Sequence, residues 1–356
     1  MHAVCVDEPG GPEKMQIRTV PRPEPGPGEV LVRVHATALN RADLLQRRGL
    51  YPPPPGESEI LGLEVSGTVE SVGPGVNGAF VLSQRVMALL CGGGYAEFVC
   101  VPEQLLMSAP NNLSLSEAAA VPRPGSPPFS CSRVQEGEVV LVHAGASGVG
   151  SAAVQLVRLL GAVPLVTAGT PEKLALAKTL GAAHGFNYRE DDFAEGVKQF
   201  TQGTDTHLSN ELMQNLKYNC VDSSLGRQRS RRDPGLRWRV VLGAERLMFG
   251  AGRALGAVRD IRGGAVQGDL LKRLLSKRGQ LLCSLLRSRS LQYKAELVSS
   301  FSSRVLPHFS GSPVLLRPVI DREFSLEQVS EAHQLMEANG NMGKIILNVI
   351  NEHLQA

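Results

Sequence analysis

The segment Val139 to Gly150, VVLVHAGASGVG, constrains the fold of this chain more than any other. Its first half is an unbroken apolar run, the mark of a strand covered on both faces of a parallel sheet. Gly145, Gly148 and Gly150 then turn the chain into a helix, where Ala153, Leu156, Val157 and Leu160 recur at i, i+3, i+4 and i+7. PLVTAG, PEKLALAKTLGA and HGFNY continue as strand, helix and strand, with Gly181 as the helix stop. This order builds half of a doubly wound, Rossmann-type sheet. Glycines let backbone approach a pyrophosphate, and the helix N-terminus offers free N–H groups and a positive dipole end. The turn therefore predicts dinucleotide binding by Gly145, Ser147, Gly148, Val149 and Gly150. A purely structural turn is the competing reading.

The end of the second strand bears on which dinucleotide. An NAD enzyme usually carries an acid there for the ribose 2′-hydroxyl. Thr167-Ala168-Gly169-Thr170 has none. Thr170 suits a helix N-cap and Pro171 the first helical turn. Lys173 then falls where the helix dipole disfavours a cation by a few tenths of a kcal/mol, a cost that a docked 2′-phosphate reverses. The pattern favours NADP(H) over NAD(H), with a solvated surface charge as the alternative for Lys173.

The flanks differ in character. Residues 1 to about 118 hold short strands rich in Val and aromatics (GEVLVRV, SGTVESVG, YAEFVCV), separated by PRPEPGPG and YPPPPG, where Pro and Gly forbid regular ladders. At the other end Ser325 and Gln328 form a capping box. Leu326, Val329, Ala332 and Met336 follow as an apolar stripe, Gly340 ends the helix, and KIILNVI closes as a strand. A net charge of +3 gives no bulk reason to expect nucleic acid. No apolar run approaches the ~20 residues of a membrane span, and MHAVCVDEPGG lacks the apolar core of a signal peptide. Six scattered cysteines without a CxxC pair argue against a disulfide framework or a structural zinc lobe, and suit a reducing cytosol. None of the eight histidines has metal or triad spacing.

Together GGPE (Gly10 to Glu13), ALNRADLLQRRGLYPPPPG (Ala38 to Gly56), ILGLEVSG (Ile60 to Gly67), HAGASGVGSAAVQL, GAAHGFNYRED and MEANGNMGKIIL (Met336 to Leu347) resemble the zinc-free quinone oxidoreductases of the medium-chain dehydrogenase/reductase superfamily. The resemblance implies an α/β protein with a GroES-like, β-rich catalytic domain from residues 1–118 and 314–356, and a Rossmann cofactor-binding domain over 119–313. It implies NADPH as cofactor, small quinones as acceptors, a cytoplasmic homodimer paired through edge strands around Gln280 to Leu286, and no membrane or nucleic-acid partner. Zinc relatives carry Gly-His-Glu where this chain has Gly62-Leu63-Glu64, so an imidazole ligand is missing. Asn40 and Tyr51 match positions at the nicotinamide and substrate end, Tyr51 being also a cofactor contact. Lys173 and Tyr188 match residues on the 2′-phosphate and adenine side, and Asn341 one near the nicotinamide. A turn-stabilising Asn40, a packing Tyr51 and a loop-forming Asn341 remain the plainer readings. Hydride transfer needs orientation, exclusion of water and a donor for developing oxyanion charge, so no catalytic dyad is expected.

The chain departs from the family at three places. PRPGSPPFSCSR (122–133) puts four prolines where a helix is expected. The stretch 204–263 is arginine-dense and without period where two further Rossmann strands belong. Both segments read as altered splicing, a frame shift or a mispredicted exon, with the sheet damaged at 204–263 and activity poor. Ser83-Gln84 stands where the superfamily usually has a Gly-Asp turn. An enone or enoyl reductase on the same fold, and an inactive cofactor-binding or RNA-binding variant, are the alternatives to a quinone reductase.

Overall fold

The computed structural model describes residues 1–123, 134–201, 222–225, 238–242, 279–282 and 286–350. In chain order these begin with β1 (His2–Val6), β2 (Met15–Thr19), β3 (Glu29–Ala38), α1 (Arg41–Arg47), β4 (Glu64–Val72), β5 (Arg85–Leu89), β6 (Phe98–Pro102), β7 (Leu106–Ser108) and α2 (Leu115–Ala119). There follow β8 (Val139–His143), α3 (Gly148–Leu159), β9 (Val163–Ala168), α4 (Pro171–Thr179), β10 (His184–Asn187), α5 (Phe193–Phe200), β11 (Asp222–Leu225), β12 (Trp238–Leu242) and β13 (Gly279–Leu282). The chain closes with α6 (Leu291–Arg304), β14 (Ile320–Ser325), α7 (Val329–Glu337) and β15 (Lys344–Asn348). It divides into two compact units, Met1–Ser126 with Leu286–Ala356, and Pro127–Leu285.

The first unit is built around a sheet of order β14-β15-β3-β4-β5-β7, with β6 also on β3. The two ends of the chain meet here: β15 runs antiparallel to β3, with Ile346 opposite Ala38. β14, α7 and β15 form a crossover that makes β14 parallel to β15. The predicted stripe works as expected, since Leu326, Val329, Ala332 and Met336 are all buried, packing with Leu39, Leu44, Leu61, Tyr95, Ile345 and Leu347 in one core. The helix stop differs by one residue: Asn339, at φ 55°, takes the left-handed conformation expected of Gly340. Asn tolerates that region better than most side chains. Gly67 is required where β3 and β4 slip register, because a Cβ there would overlap the carbonyl of Arg33.

The second unit is the doubly wound half that the glycine turn predicts. β10, β9, β8 and β12 pair in parallel. α3 packs on them through Ala153, Val154 and Val157, with Val140, Val142 and Val166 beneath. The expected face named Leu160 in place of Val154; Leu160 is the C-cap and only half-buried. Thr170 caps α4 and Pro171 starts it, and Gly181 ends it at φ 102°, all as the sequence indicates. Beyond β12 the sheet is mixed: β11 runs antiparallel to both β12 and β13. Of the segments expected to be aberrant, Pro122, Arg123, β11 and β12 are described; the rest lies outside the described residues.

Candidate functional site

The elbow between β8 and α3 is shaped by contacts a larger residue would block. A Cβ on Gly150 would overlap the Ala144 carbonyl oxygen, and one on Gly145 would press into Val166. Ala144 itself sits at φ 52° to complete the turn. Ser147 is the N-cap of α3, its Oγ accepting from the Gly150 amide at 3.0 Å. The hydroxyl is thereby occupied by the helix. The amides of Gly148 and Val149 remain as first-turn donors that the helix does not use. Val149 is buried and holds the turn against the core. An anion of diphosphate type fits this elbow: first-turn amides that the helix leaves without partners, a positive dipole end, and glycines at the turn in place of side chains.

The second strand end supplies the neighbouring surface. Thr170 Oγ1 accepts from the Lys173 amide at 3.4 Å. Gly169 faces Tyr188 and Arg189, and a Cβ there would collide with the Tyr188 hydroxyl. Tyr188 and Arg189 are both exposed. Arg189 is a cation that sequence reasoning passed over, although it directly follows Tyr188 in the motif HGFNYRED.

In the first unit the predicted contacts rest on a buried polar network. Asn40 is fully buried. Its Nδ2 donates to Glu64 Oε1 at 2.9 Å and to the Ala38 carbonyl at 3.1 Å, and its Oδ1 accepts from Lys344 Nζ at 3.1 Å. Both amide hydrogens expected to serve a ligand are thus taken by protein acceptors. Lys344, also buried, pairs with Glu64 at 2.7 Å and donates to the Leu39 carbonyl at 2.8 Å. The other Glu64 oxygen accepts from the Arg123 amide at 2.7 Å.

A second chain starts at Asp43. Its carboxylate accepts from the Asn40 amide at 2.7 Å, the Gly62 amide at 3.3 Å and the Tyr95 hydroxyl at 3.3 Å. Burial pushes its pKa up to about 6 despite those donors. Tyr95 Oη lies 3.2 Å from His333 Nε2, and Arg47 donates to His333 Nδ1 at 3.1 Å. Arginine can only donate, so Nδ1 is the acceptor and Nε2 carries the hydrogen. Burial, with Arg47 beside it, drives His333 down to about 3, so the ring is neutral. Arg47 ends the chain on Glu337.

Tyr51 is half-buried, with the Arg287 guanidinium 5.2 Å from its ring centroid. Burial raises its pKa against the pull of Arg123 and Arg287, so the phenol stays protonated and can donate. Arg287 is buried, its Nε donating to the Cys91 carbonyl at 2.6 Å and its Nη1 to the Tyr51 carbonyl at 3.4 Å. Among the described residues its Nη2 has no acceptor. Asn341 donates to the Gly343 carbonyl at 2.8 Å and shapes the loop before β15. Asn40 and Tyr51 thus share a unit with Asn341, while the elbow, Gly169, Thr170, Lys173 and Tyr188 share the other. Sequence reasoning missed Asp43, Arg47, Tyr95, Arg287, His333 and Lys344. Asp43 stands three residues after Asn40 in a capping box, a spacing that could have found it; the other five are single charged or polar residues without motif spacing.

A unit formed from both chain ends, with a doubly wound sheet inserted between them in sequence, is the organisation of a medium-chain dehydrogenase/reductase. Residues 26–111 match the alcohol dehydrogenase GroES-like domain, and residues 148–215 and 311–347 match zinc-binding dehydrogenase domains. The human quinone oxidoreductase is 30% identical over 357 residues, covering 98% of this chain and 97% of that one. The Escherichia coli quinone oxidoreductase complexed with NADPH superposes with a TM-score of 0.72 at 25% identity, over 98% of this chain and all of that one. The Thermus thermophilus quinone oxidoreductase, also solved with NADPH, gives 0.70 at 28% identity over 98% of this chain and 100% of that one. The chain belongs to the quinone oxidoreductase family of the medium-chain dehydrogenases/reductases.

Proposed function

We propose that this protein is a zinc-independent NADPH:quinone oxidoreductase acting on small quinones. The observation that carries the reading is the elbow, where Ser147 caps the helix and leaves the Gly148 and Val149 amides for a diphosphate. NADPH, when bound, supplies the hydride. The protein's part is to hold and orient. Gly145, Gly148 and Gly150 let the backbone approach the diphosphate, and Gly169 leaves room for the Tyr188 hydroxyl at the next strand end, where Thr170 caps α4. Lys173 and Arg189 meet the 2′-phosphate, and Tyr188 offers its ring to the adenine. The human quinone oxidoreductase, and the two bacterial quinone oxidoreductases solved with NADPH, support the same cofactor and acceptor.

On the acceptor side, reduction builds negative charge on a quinone oxygen. Fixed donors stabilise that charge without reorganising. Tyr51 offers a protonated hydroxyl and Arg287 a guanidinium nitrogen with no protein acceptor among the described residues. Asn40 acts as a positioning residue: with Lys344 and Glu64 it fixes the join of β3 and α1, from which the Tyr51 loop departs. Asn341 positions the loop before β15. Leu63 is buried and apolar, and no three His, Cys, Asp or Glu side chains converge among the described residues. The proposal includes a cytoplasmic homodimer paired at β13, which ends the sheet order among the described strands.

The test is titration with NADPH and NADH followed by nicotinamide fluorescence, then NADPH oxidation with an ortho-quinone against an enone. Tighter binding of NADPH and turnover with the quinone are expected. Indifference to both nucleotides overturns the cofactor assignment, and turnover with the enone alone overturns the acceptor.

A further inference from the structure

Cys91, just after β5, and Lys294, in the first turn of α6, are both buried, and the proposed chemistry uses neither. Lys294 Nζ lies 2.8 Å from Cys91 Sγ. Among the described residues its other contact is the Arg287 carbonyl at 3.5 Å. The Glu57 carboxylate also interacts with the Cys91 thiol, opposing the pull of the ammonium on it. The geometry is held from both sides: the Cys91 thiol donates to the Arg287 carbonyl at 3.6 Å, while Arg287 Nε donates to the Cys91 carbonyl at 2.6 Å. The two segments stand 203 residues apart in sequence, yet sulfur and nitrogen are pressed together.

We infer that Cys91 and Lys294 form an oxidation-dependent covalent cross-link in which one oxygen bridges sulfur and nitrogen. Two single bonds meeting at a bent oxygen span slightly less than the observed separation, so closure needs no backbone movement. With hydrogen peroxide as oxidant the steps balance. The thiol and one peroxide give sulfenic acid and water, the first rung of the cysteine oxidation ladder. The sulfenic acid, the lysine amine and a second peroxide then give the S–O–N bridge and two waters. Sulfur and nitrogen together lose four electrons, which reduce the two peroxides. The bridge ties the loop after β5 to the start of α6, the segments that hold Arg287.

Peptide mapping of the full chain after peroxide treatment tests this. The tryptic peptide beginning at Val86, which carries Cys91, should appear joined to the segment 290–304. The joined mass should exceed the sum of the two by one oxygen less two hydrogens, about 14 Da, and a thiol reductant should release both. Trypsin should fail to cut after the bridged Lys294, and fragment ions should place the link on Cys91, not Cys100 or Cys131. Lys294→Arg keeps the cation and should lose the link, while Cys100→Ser keeps it. The link should also raise the melting temperature, reversibly. Sulfinic or sulfonic acid on Cys91 beside an unmodified, cleavable Lys294 overturns the inference, as does a Cys91 that stays alkylatable while other thiols oxidise.

Discussion

Replacing Lys344 by Met isolates the interaction on which the first unit most depends. Lys344 and Glu64 are both buried, and their 2.7 Å pair is a direct ammonium–carboxylate contact. At an effective dielectric constant of about 20, two unit charges at that distance attract by about 6 kcal/mol before desolvation is counted. Glu64 keeps two neutral donors when the lysine is gone, the Asn40 amide at 2.9 Å and the Arg123 backbone amide at 2.7 Å. Those cannot balance a buried charge, and measured losses on orphaning one partner run at about 3–5 kcal/mol. The Met side chain matches the lysine stem in volume, so packing changes little. Lys344→Met should therefore cost about 3–5 kcal/mol. Glu64→Gln added to it should recover most of that loss, because the pair is then removed as a unit. Urea denaturation of the wild type, both single variants and the double variant, followed by circular dichroism, measures the coupling. A loss under about 1 kcal/mol, or additive effects in the double variant, would refute the reasoning, since either outcome means that the two charges are not desolvated together.

Four further outcomes follow from named contacts. Burial holds His333 near 3 in the folded protein against 6.5 for the free side chain, so its contribution is fully present above pH 6.5 and lost as pH falls through the folded value. His333→Gln should flatten the acid limb of stability against pH between those limits. Asp43 has the opposite sign: raised to about 6, it contributes stability below its unfolded value near 3.8 and loses it as pH rises through 6. Asp43→Asn should remove that decline, read from denaturation midpoints between pH 4 and 7. Ser83 sits at φ 63°, so Ser83→Gly should raise stability by about 0.5–1 kcal/mol, visible as a higher melting temperature. Arg189→Ala should weaken NADPH about five- to tenfold while leaving NADH nearly unchanged, as expected of an exposed cation facing a 2′-phosphate; equal losses for both nucleotides would place Arg189 elsewhere on the cofactor.

How much of this was legible in the sequence depends on whether a feature is local. The elbow was, because a glycine that must clear the Ala144 carbonyl lies within one turn of it, and an N-cap such as Ser147 or Thr170 answers to amides three residues on. The crossover β14-α7-β15 was, because its apolar stripe has helical period. Even the departure at Ser83 was visible before the left-handed backbone that explains it. The buried network was not. Lys344 meets Glu64 across 280 residues and Arg47 meets His333 across 286, joined only when the C-terminal strand closes on β3. No spacing announces such pairs, and taken singly each reads as a solvated charge. The same distance explains the revised part for Asn40. Sequence pattern could show an amide at the start of α1. Only the folded neighbours reveal that its hydrogens belong to Glu64 and the Ala38 carbonyl. In the proposed function the donors toward an acceptor are then Tyr51 and Arg287, the second of which follows the inserted unit in sequence and has no motif of its own. A residue's chemistry is written in its type, but its availability is set by what the chain brings against it. Around α1 the return of the C-terminus decides what Asn40, Arg41 and Arg47 have left to offer.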